Sequence, residues 1–468
     1  MRILPFLAFF FFFPIAETFL HATDSDLPPD MAGEQAPTFS ETQEQKSARL
    51  AWWKEAHFGM FIHWGLYAQW GCHYQGKDGR GEHMMAHLKI PVAEYAKIAD
   101  VFNPVKFDAN EWATIAKNAG MKYMILTGKH HDGFAMFNSP SNDYNIVART
   151  PFKRDPVKEL AAACHAQGLK FGVYYSLGRD WSNPDWPGRN TWDFPDHSKE
   201  DFGKYFREKV KPQIKELLTQ YGPIDIIWFD TPEKINKEQS TELRAYIHSL
   251  QPDCIVNDRI GNGQGDYNTR EQGPQIFSGR SSASPWEGCM TINDNWGYEE
   301  GDENFKTPET IIRDLVDVVS NGGSLLLNVG PTGEGIIPAP EVTVLGKTGD
   351  WLKVNGQAIY GASRSPLGDW HRAPSPTEKD KKGQPIIGPT WDWRCTTQPG
   401  KLFITIFQWP TDVFKLNGVK DKVTAAYLLA DPKHTPLHFT QDGTTVSITL
   451  PPQAPDPIAS VVCLETGP

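Results

Sequence analysis

Between residues 58 and 329, short apolar runs alternate with amphipathic stretches, and most of the runs end abruptly in polar residues. A short run that is apolar throughout reads as a strand covered on both faces, the situation of a parallel sheet with helices packed on it. Such runs predict strands at 58–64, 123–127, 170–175, 224–229, 254–257, 289–293 and 324–329. The amphipathic stretches predict helices at 109–119, 156–167, 202–221, 237–250 and 308–320. Asn110, Asp155 and Thr307 stand where helices should start, since a short polar side chain there accepts a first-turn N–H. Alternating strands and helices predict an α/β fold, a TIM-like (β/α) barrel. Seven strands are legible, so the barrel is expected to be irregular, with one strand weak or missing. Past residue 361 the pattern changes to β-type runs at 402–407, 425–429, 446–450 and 459–464, separated by Pro, Gly, Asp and Lys. With no helix among them, they predict a small C-terminal antiparallel β-sandwich. The expected organisation is a catalytic barrel over 46–360 and the sandwich over 361–468.

The chain opens with a basic residue, Arg2, then an apolar run at 3–13, Pro14 and the small residues Ala16 and Ala22. That reads as an export signal over 1–22, too short to span a bilayer comfortably. A polar segment at 23–45 follows it. The expected location is therefore outside the cytoplasm, secreted or periplasmic, with no membrane insertion once the signal is cleaved. The formal charge of −11 argues against nucleic acid or an anionic membrane surface as partner, both of which need clustered Lys and Arg. Sixteen Trp among 468 residues suit a sugar site, where a flat ring covers the apolar face of a pyranose. Six cysteines without a Cys-x-x-Cys pair argue against a zinc ribbon or a thioredoxin-type redox site.

In a (β/α) barrel the catalytic groups stand at the C-terminal strand ends. Here those ends carry Phe61-Ile62-His63-Trp64-Gly65, then Lys129-His130-His131-Asp132-Gly133, Tyr174-Tyr175-Ser176, Trp228-Phe229-Asp230 and Asn257-Asp258-Arg259. Five successive ends supplying His, Tyr, Trp, Asp and Arg are hard to explain by packing. Asp230 is the sharpest, a carboxylate closing an apolar strand; the plainer reading is a cap for the next helix.

These motifs resemble the α-L-fucosidases of glycoside hydrolase family 29. Phe58-Gly59-Met60 before the first set, Asp294-Asn295-Trp296-Gly297-Tyr298 and the run from Gly322 to Pro331 extend the likeness over roughly residues 51–361, in the family's order. The resemblance implies that Asp230 is the nucleophile of a retaining exo-glycosidase acting on fucosylated oligosaccharides. It implies that His63, His130 and His131 hold fucose hydroxyls, and that Trp228 and Arg259 touch the sugar. One of the two tyrosines should do so too, with Tyr175 preferred over Tyr174. Glu82 matches a further hydroxyl-binding carboxylate, although His83 follows it where the family usually has Trp. Retention needs a second carboxyl about 5–5.5 Å from the first as acid/base. Glu271 matches that loop, beside Arg270 where relatives often carry Pro; Glu287 in Pro285-Trp286-Glu287 is the alternative. No cofactor is expected, and no metal, because His73, His83 and His87 lack a His-Glu-x-x-His frame. The competing functions are another retaining exo-glycosidase, such as an α-galactosidase, and a fucose-binding lectin without turnover.

Overall fold

Residues 38–272, 284–367, 372–379, 385–389, 392–411 and 413–467 are described by the structure, a computed structural model. The expected export signal and residues 23–37 of the polar segment lie outside them. Eight strands form one sheet: β1 (Phe58–Ile62), β2 (Tyr123–Lys129), β3 (Lys170–Ser176), β4 (Ile226–Asp230), β5 (Ile255–Val256), β6 (Asn268–Glu271), β7 (Trp286–Thr291) and β8 (Ser324–Val329). The order is β5-β4-β3-β2-β1-β8-β7-β6, and every pairing is parallel. At the two ends of that order, β5 and β6 meet through a single parallel bridge between Asn257 and Tyr267. The sheet thus curls into a TIM-like barrel with one thin seam. β6 is the strand that hydrophobic patterning misses, because its residues Asn-Thr-Arg-Glu are all polar and only partly covered.

Around the barrel pack the longer helices, among them α1 (Gln43–Ala56), α2 (Ala109–Asn118), α3 (Pro156–Gln167), α4 (Lys211–Gln220), α5 (Lys237–Leu250), α6 (Pro308–Ser320) and α7 (Ala339–Asn355). Asp155 and Thr307 cap α3 and α6 as expected, accepting from the Lys158 and Thr310 amides. The cap of α2 is Asp108 rather than Asn110: its carboxylate takes the N–H groups of Asn110 and Glu111. The helix expected over 202–221 is interrupted by a π-helical stretch, Phe206–Val210, before α4 resumes. Pro212 supplies the reason, since it has no N–H to return to the preceding turn.

Side-chain alternation divides the strands into two layers. Phe61, Tyr123, Ile125, Tyr174, Ile226, Trp228 and Cys289 fill the barrel, together with Leu50 and Trp53 from α1. Met60, Ile62, Leu126, Val173, Tyr175, Phe229 and Leu327 point outward into the core shared with the helices.

The C-terminal part holds a four-stranded sheet of β9 (Trp393–Gln398), β10 (Lys401–Ile406), β12 (Lys422–Leu428) and β15 (Ser460–Gly467), in order β9-β10-β15-β12. A three-stranded sheet of β11 (Phe414–Leu416), β13 (Phe439–Asp442) and β14 (Thr445–Ile448) packs with it over one apolar cluster, and all pairings are antiparallel. A small β-sandwich therefore follows the barrel. Arg394 of β9 reaches Asp317 of α6 at 2.6 Å, and Trp351 of α7 donates to the Ala459 carbonyl, so the sandwich is anchored on the barrel helices. All six cysteines are buried free thiols.

Candidate active site

The C-terminal ends of the strands surround a pocket of about 240 Å³. His63 follows β1, His130 and His131 follow β2, and Asp230 closes β4. Glu82, Trp228, Arg259 and Glu271 also line it, so the fold brings together eight of the nine residues singled out in the sequence.

The exception is Tyr175. Its ring lies in the outer layer and its hydroxyl donates to Gln213 at 2.8 Å, away from the pocket. Tyr174 takes the inner place instead, and its hydroxyl donates to Asp230 Oδ2 at 2.8 Å. The register explains the exchange. Tyr174 pairs with Trp228 and Ser176 with Asp230, so the inward set on β3 is even-numbered, like that on β4.

Asp230 does not cap the next helix; Asn236 caps α5. Its Oδ1 accepts from the Thr231 amide at 2.8 Å and from Arg259 Nη1 at 2.5 Å. Burial works to raise the Asp230 carboxyl, but the Arg259 charge and the Tyr174 hydrogen bond outweigh it, leaving it below its ordinary value. Arg259 Nη2 reaches Glu271 Oε1 at 2.5 Å, so one guanidinium stands between the two carboxyls. The same guanidinium lies over the Trp228 ring, 4.9 Å from its centroid.

Both members of the histidine pair reach the pocket because the strand breaks just before them, with a register irregularity between Thr127 and Lys129. Hydrogen bonds on His131 and His63 fix which of their nitrogens face a ligand. His131 Nδ1 lies 2.6 Å from Ser176 Oγ, whose own proton goes to the Arg179 carbonyl. Nδ1 is therefore the donor, and Nε2, 3.6 Å from Asp230, carries a lone pair. His63 Nδ1 likewise donates to Asn328 Oδ1 at 2.6 Å, the amide being oriented by its N–H to the Trp296 carbonyl. Burial pushes His63, His130 and His131 all below the usual imidazole range, so they are neutral at physiological pH. Glu82 is buried, yet contacts with His83 hold it down at about 2. Neutral imidazole nitrogens and two ionised carboxylates make a wall of acceptors, which suits a ligand rich in hydroxyl donors.

Glu287, the alternative second carboxyl, does not line the pocket. It sits one layer deeper inside the barrel, where it accepts from the Tyr123 hydroxyl at 2.7 Å, Trp228 Nε1 at 2.9 Å and Trp53 Nε1 at 3.4 Å. Burial pushes it up to about 7. Its bonds tie the Trp228 floor to the barrel interior. Beyond Tyr174, the pocket also includes Phe61, His83, Arg179, Thr231, Cys289 and Trp296. Trp296 and Cys289 fall in segments with legible signals, but nothing in their own neighbourhood distinguishes them from core residues. Among the described residues no three His, Cys, Asp or Glu side chains gather as a metal would require, and His73 pairs instead with Asp78.

A family model described as Alpha-L-fucosidase matches residues 29–357. The plasma alpha-L-fucosidase of Rattus norvegicus is 36% identical over 336 residues, covering 66% of this chain and 70% of that protein. The plasma alpha-L-fucosidase of Homo sapiens is 34% identical over 351 residues, covering 69% and 72%. Among solved structures, alpha-L-fucosidase isoenzyme 1 from Paenibacillus thiaminolyticus superposes with a TM-score of 0.78 at 35% identity, covering 91% of this chain and all of that one. An alpha-L-fucosidase from Lactobacillus casei in complex with alpha-L-fucose product gives 0.61 at 39% identity, over 65% of this chain and 98% of that one.

Proposed function

Since the chain belongs to the alpha-L-fucosidase family, we propose that its pocket holds a terminal α-L-fucosyl residue with C1 against Asp230. The protein is a retaining glycoside hydrolase that acts on fucosylated glycans, a reading preferred over a galactosidase or a lectin. The observation that carries the residue assignment is Asp230 itself: ionised, ending β4, and facing a second pocket carboxyl across Arg259.

In the first step an Asp230 oxygen attacks C1 and forms an ester while the glycosidic oxygen departs with a proton from Glu271. In the second, water donates its proton to Glu271 and attacks C1, releasing fucose and restoring Asp230. Arg259 and the Tyr174 hydroxyl lower the charge density on Asp230 before attack and hold its plane fixed. Glu271 Oε1 is engaged by Arg259, so handing over a proton requires the two to part. Its half-exposed position at the pocket rim permits that movement. His63 and His131 take sugar hydroxyl protons on Nε2, with Glu82 as a third acceptor. Export of the enzyme is supported by the apolar run at 3–13 and agrees with the plasma relatives.

A panel of nitrophenyl glycosides tests the sugar: hydrolysis of the α-L-fucoside with retained anomeric configuration is expected, and an intact fucoside beside a cleaved galactoside would end the reading. Glu271→Ala should slow aryl fucosides with good leaving groups little and oligosaccharides by about 10²–10⁴-fold. Added azide should accelerate that variant and yield a fucosyl azide of retained configuration; no response to azide would move the acid/base elsewhere. Tyr174→Phe removes the donor to Asp230 Oδ2, so kcat/KM should fall about 10- to 100-fold. Because the hydrogen bond lowers the Asp230 pKa, the acidic limb of its pH profile should move upward. An unmoved limb would show that Tyr174 only packs.

A further inference from the structure

Next to the sugar pocket lies a second cavity of about 520 Å³, more than twice its volume of about 240 Å³. Arg80, Ala86, His87 and Asp294 line only the second, whereas Glu82, His83 and Trp296 line both. The two spaces therefore adjoin at the His83 and Trp296 rings. Asp230, Arg259 and Glu271 line the first alone. A fucosyl ring with C1 against Asp230 turns its leaving group to the opposite face of C1, towards Glu271, and its far hydroxyls towards Glu82. The second cavity thus opens on the hydroxyl side of the ring, away from the bond that breaks.

From this geometry we infer that the second cavity receives a further neutral sugar unit carried on a ring hydroxyl of the fucosyl residue, so that substituted fucose is cleaved as well as terminal fucose. The inference rests on the fucosidase reading and on Asp230 as the nucleophile. The lining has the chemistry of a sugar subsite. Arg80 is an exposed guanidinium whose side chain makes no ion pair among the described residues, and His87 is exposed on the short helix Met84–His87. Asp294 is also exposed and turns both carboxylate oxygens to the Asn304 amide, at 3.0 and 2.9 Å. Donors and acceptors of both signs beside an indole edge fit hydroxyl groups on a ring better than an anion, which Glu82 and Asp294 would repel.

Three aryl α-L-fucosides test it: one unsubstituted, one glycosylated at O3 and one at O4. At least one glycosylated compound should be cleaved at C1, releasing the disaccharide intact, with kcat/KM within about tenfold of the unsubstituted one. Ala86→Trp, which plugs the second cavity, and Arg80→Ala should each lower that value about tenfold or more while leaving the unsubstituted fucoside unchanged. Refusal of both glycosylated compounds by an enzyme that cleaves the unsubstituted one would overturn the inference. Equal slowing of all three compounds by both variants would do the same. Failure on the unsubstituted fucoside would instead remove the fucosidase reading, and the inference with it.

Discussion

Asp230→Gly is expected to lower kcat on a nitrophenyl α-L-fucoside by on the order of 10⁴ while leaving the barrel folded. The rate loss follows from the absence of any other pocket carboxylate placed to attack: Glu271 stands on the leaving-group side, and Glu82 is held among the hydroxyl-binding groups by His83 and the Gly297 amide. Folding should survive because Arg259 keeps the Glu271 carboxylate and the Thr269 hydroxyl as partners. Azide at high concentration should restore turnover in this variant and give a fucosyl azide of inverted configuration, since a small anion fills the space of the lost side chain. Retention of more than a tenth of the activity would rule Asp230 out as nucleophile.

Glu287→Ala should cost about 3–5 kcal/mol of stability, the largest effect expected from any single pocket-adjacent change. The truncation leaves the Tyr123 hydroxyl and the Trp53 and Trp228 indole N–H groups facing a dry cavity. Glu287→Gln keeps volume and an acceptor, so it should remain folded and nearly as active as the parent. The two variants together separate a structural carboxyl from an acid/base: strong loss of kcat in a fully folded Gln variant would return Glu287 to the chemistry. The pH dependence adds a sign. Burial raises the folded carboxyl from 4.5 to about 7, so the folded state binds the extra proton across that window. Its contribution is fully present below 4.5 and is lost as pH rises towards 7. Thermal melts should show that slope in the parent and not in the Gln variant.

The barrel is legible from patterning because buried parallel strands are apolar throughout, and the sandwich because short β-type runs follow one another with no helix between. β6 escapes the same logic, since Asn268 to Glu271 are polar and partly open to solvent. The pocket was legible wherever a polar residue ends an apolar run, as with His63, His131 and Asp230. Tyr175 illustrates the limit. Two adjacent tyrosines offer the same chemistry, and only the parity shared with Trp228 across β3 and β4 decides between them. The preference for Glu271 over Glu287 rested on the family's motif, whereas depth in the barrel is what separates them physically. Burial of Glu287 beneath Trp228 depends on registry between β7 and strands far away in the chain, which no local pattern encodes.

The two sides of the pocket are held in different ways. The histidines, Tyr174 and Asp230 spring from strands laced to neighbours on both flanks, whereas Arg259 and Glu271 flank the seam between β5 and β6, where one parallel bridge is backed by side-chain bonds of Asp258 and Asp266 instead of a long ladder. On the proposed roles, the half that grips the sugar is thus tied to the framework by strand ladders, and the half that meets the departing group is tied largely by side chains. Substitutions on the Glu271 side of that seam should therefore bear first on the departing group, while the histidines and Asp230 stay fixed by their strands.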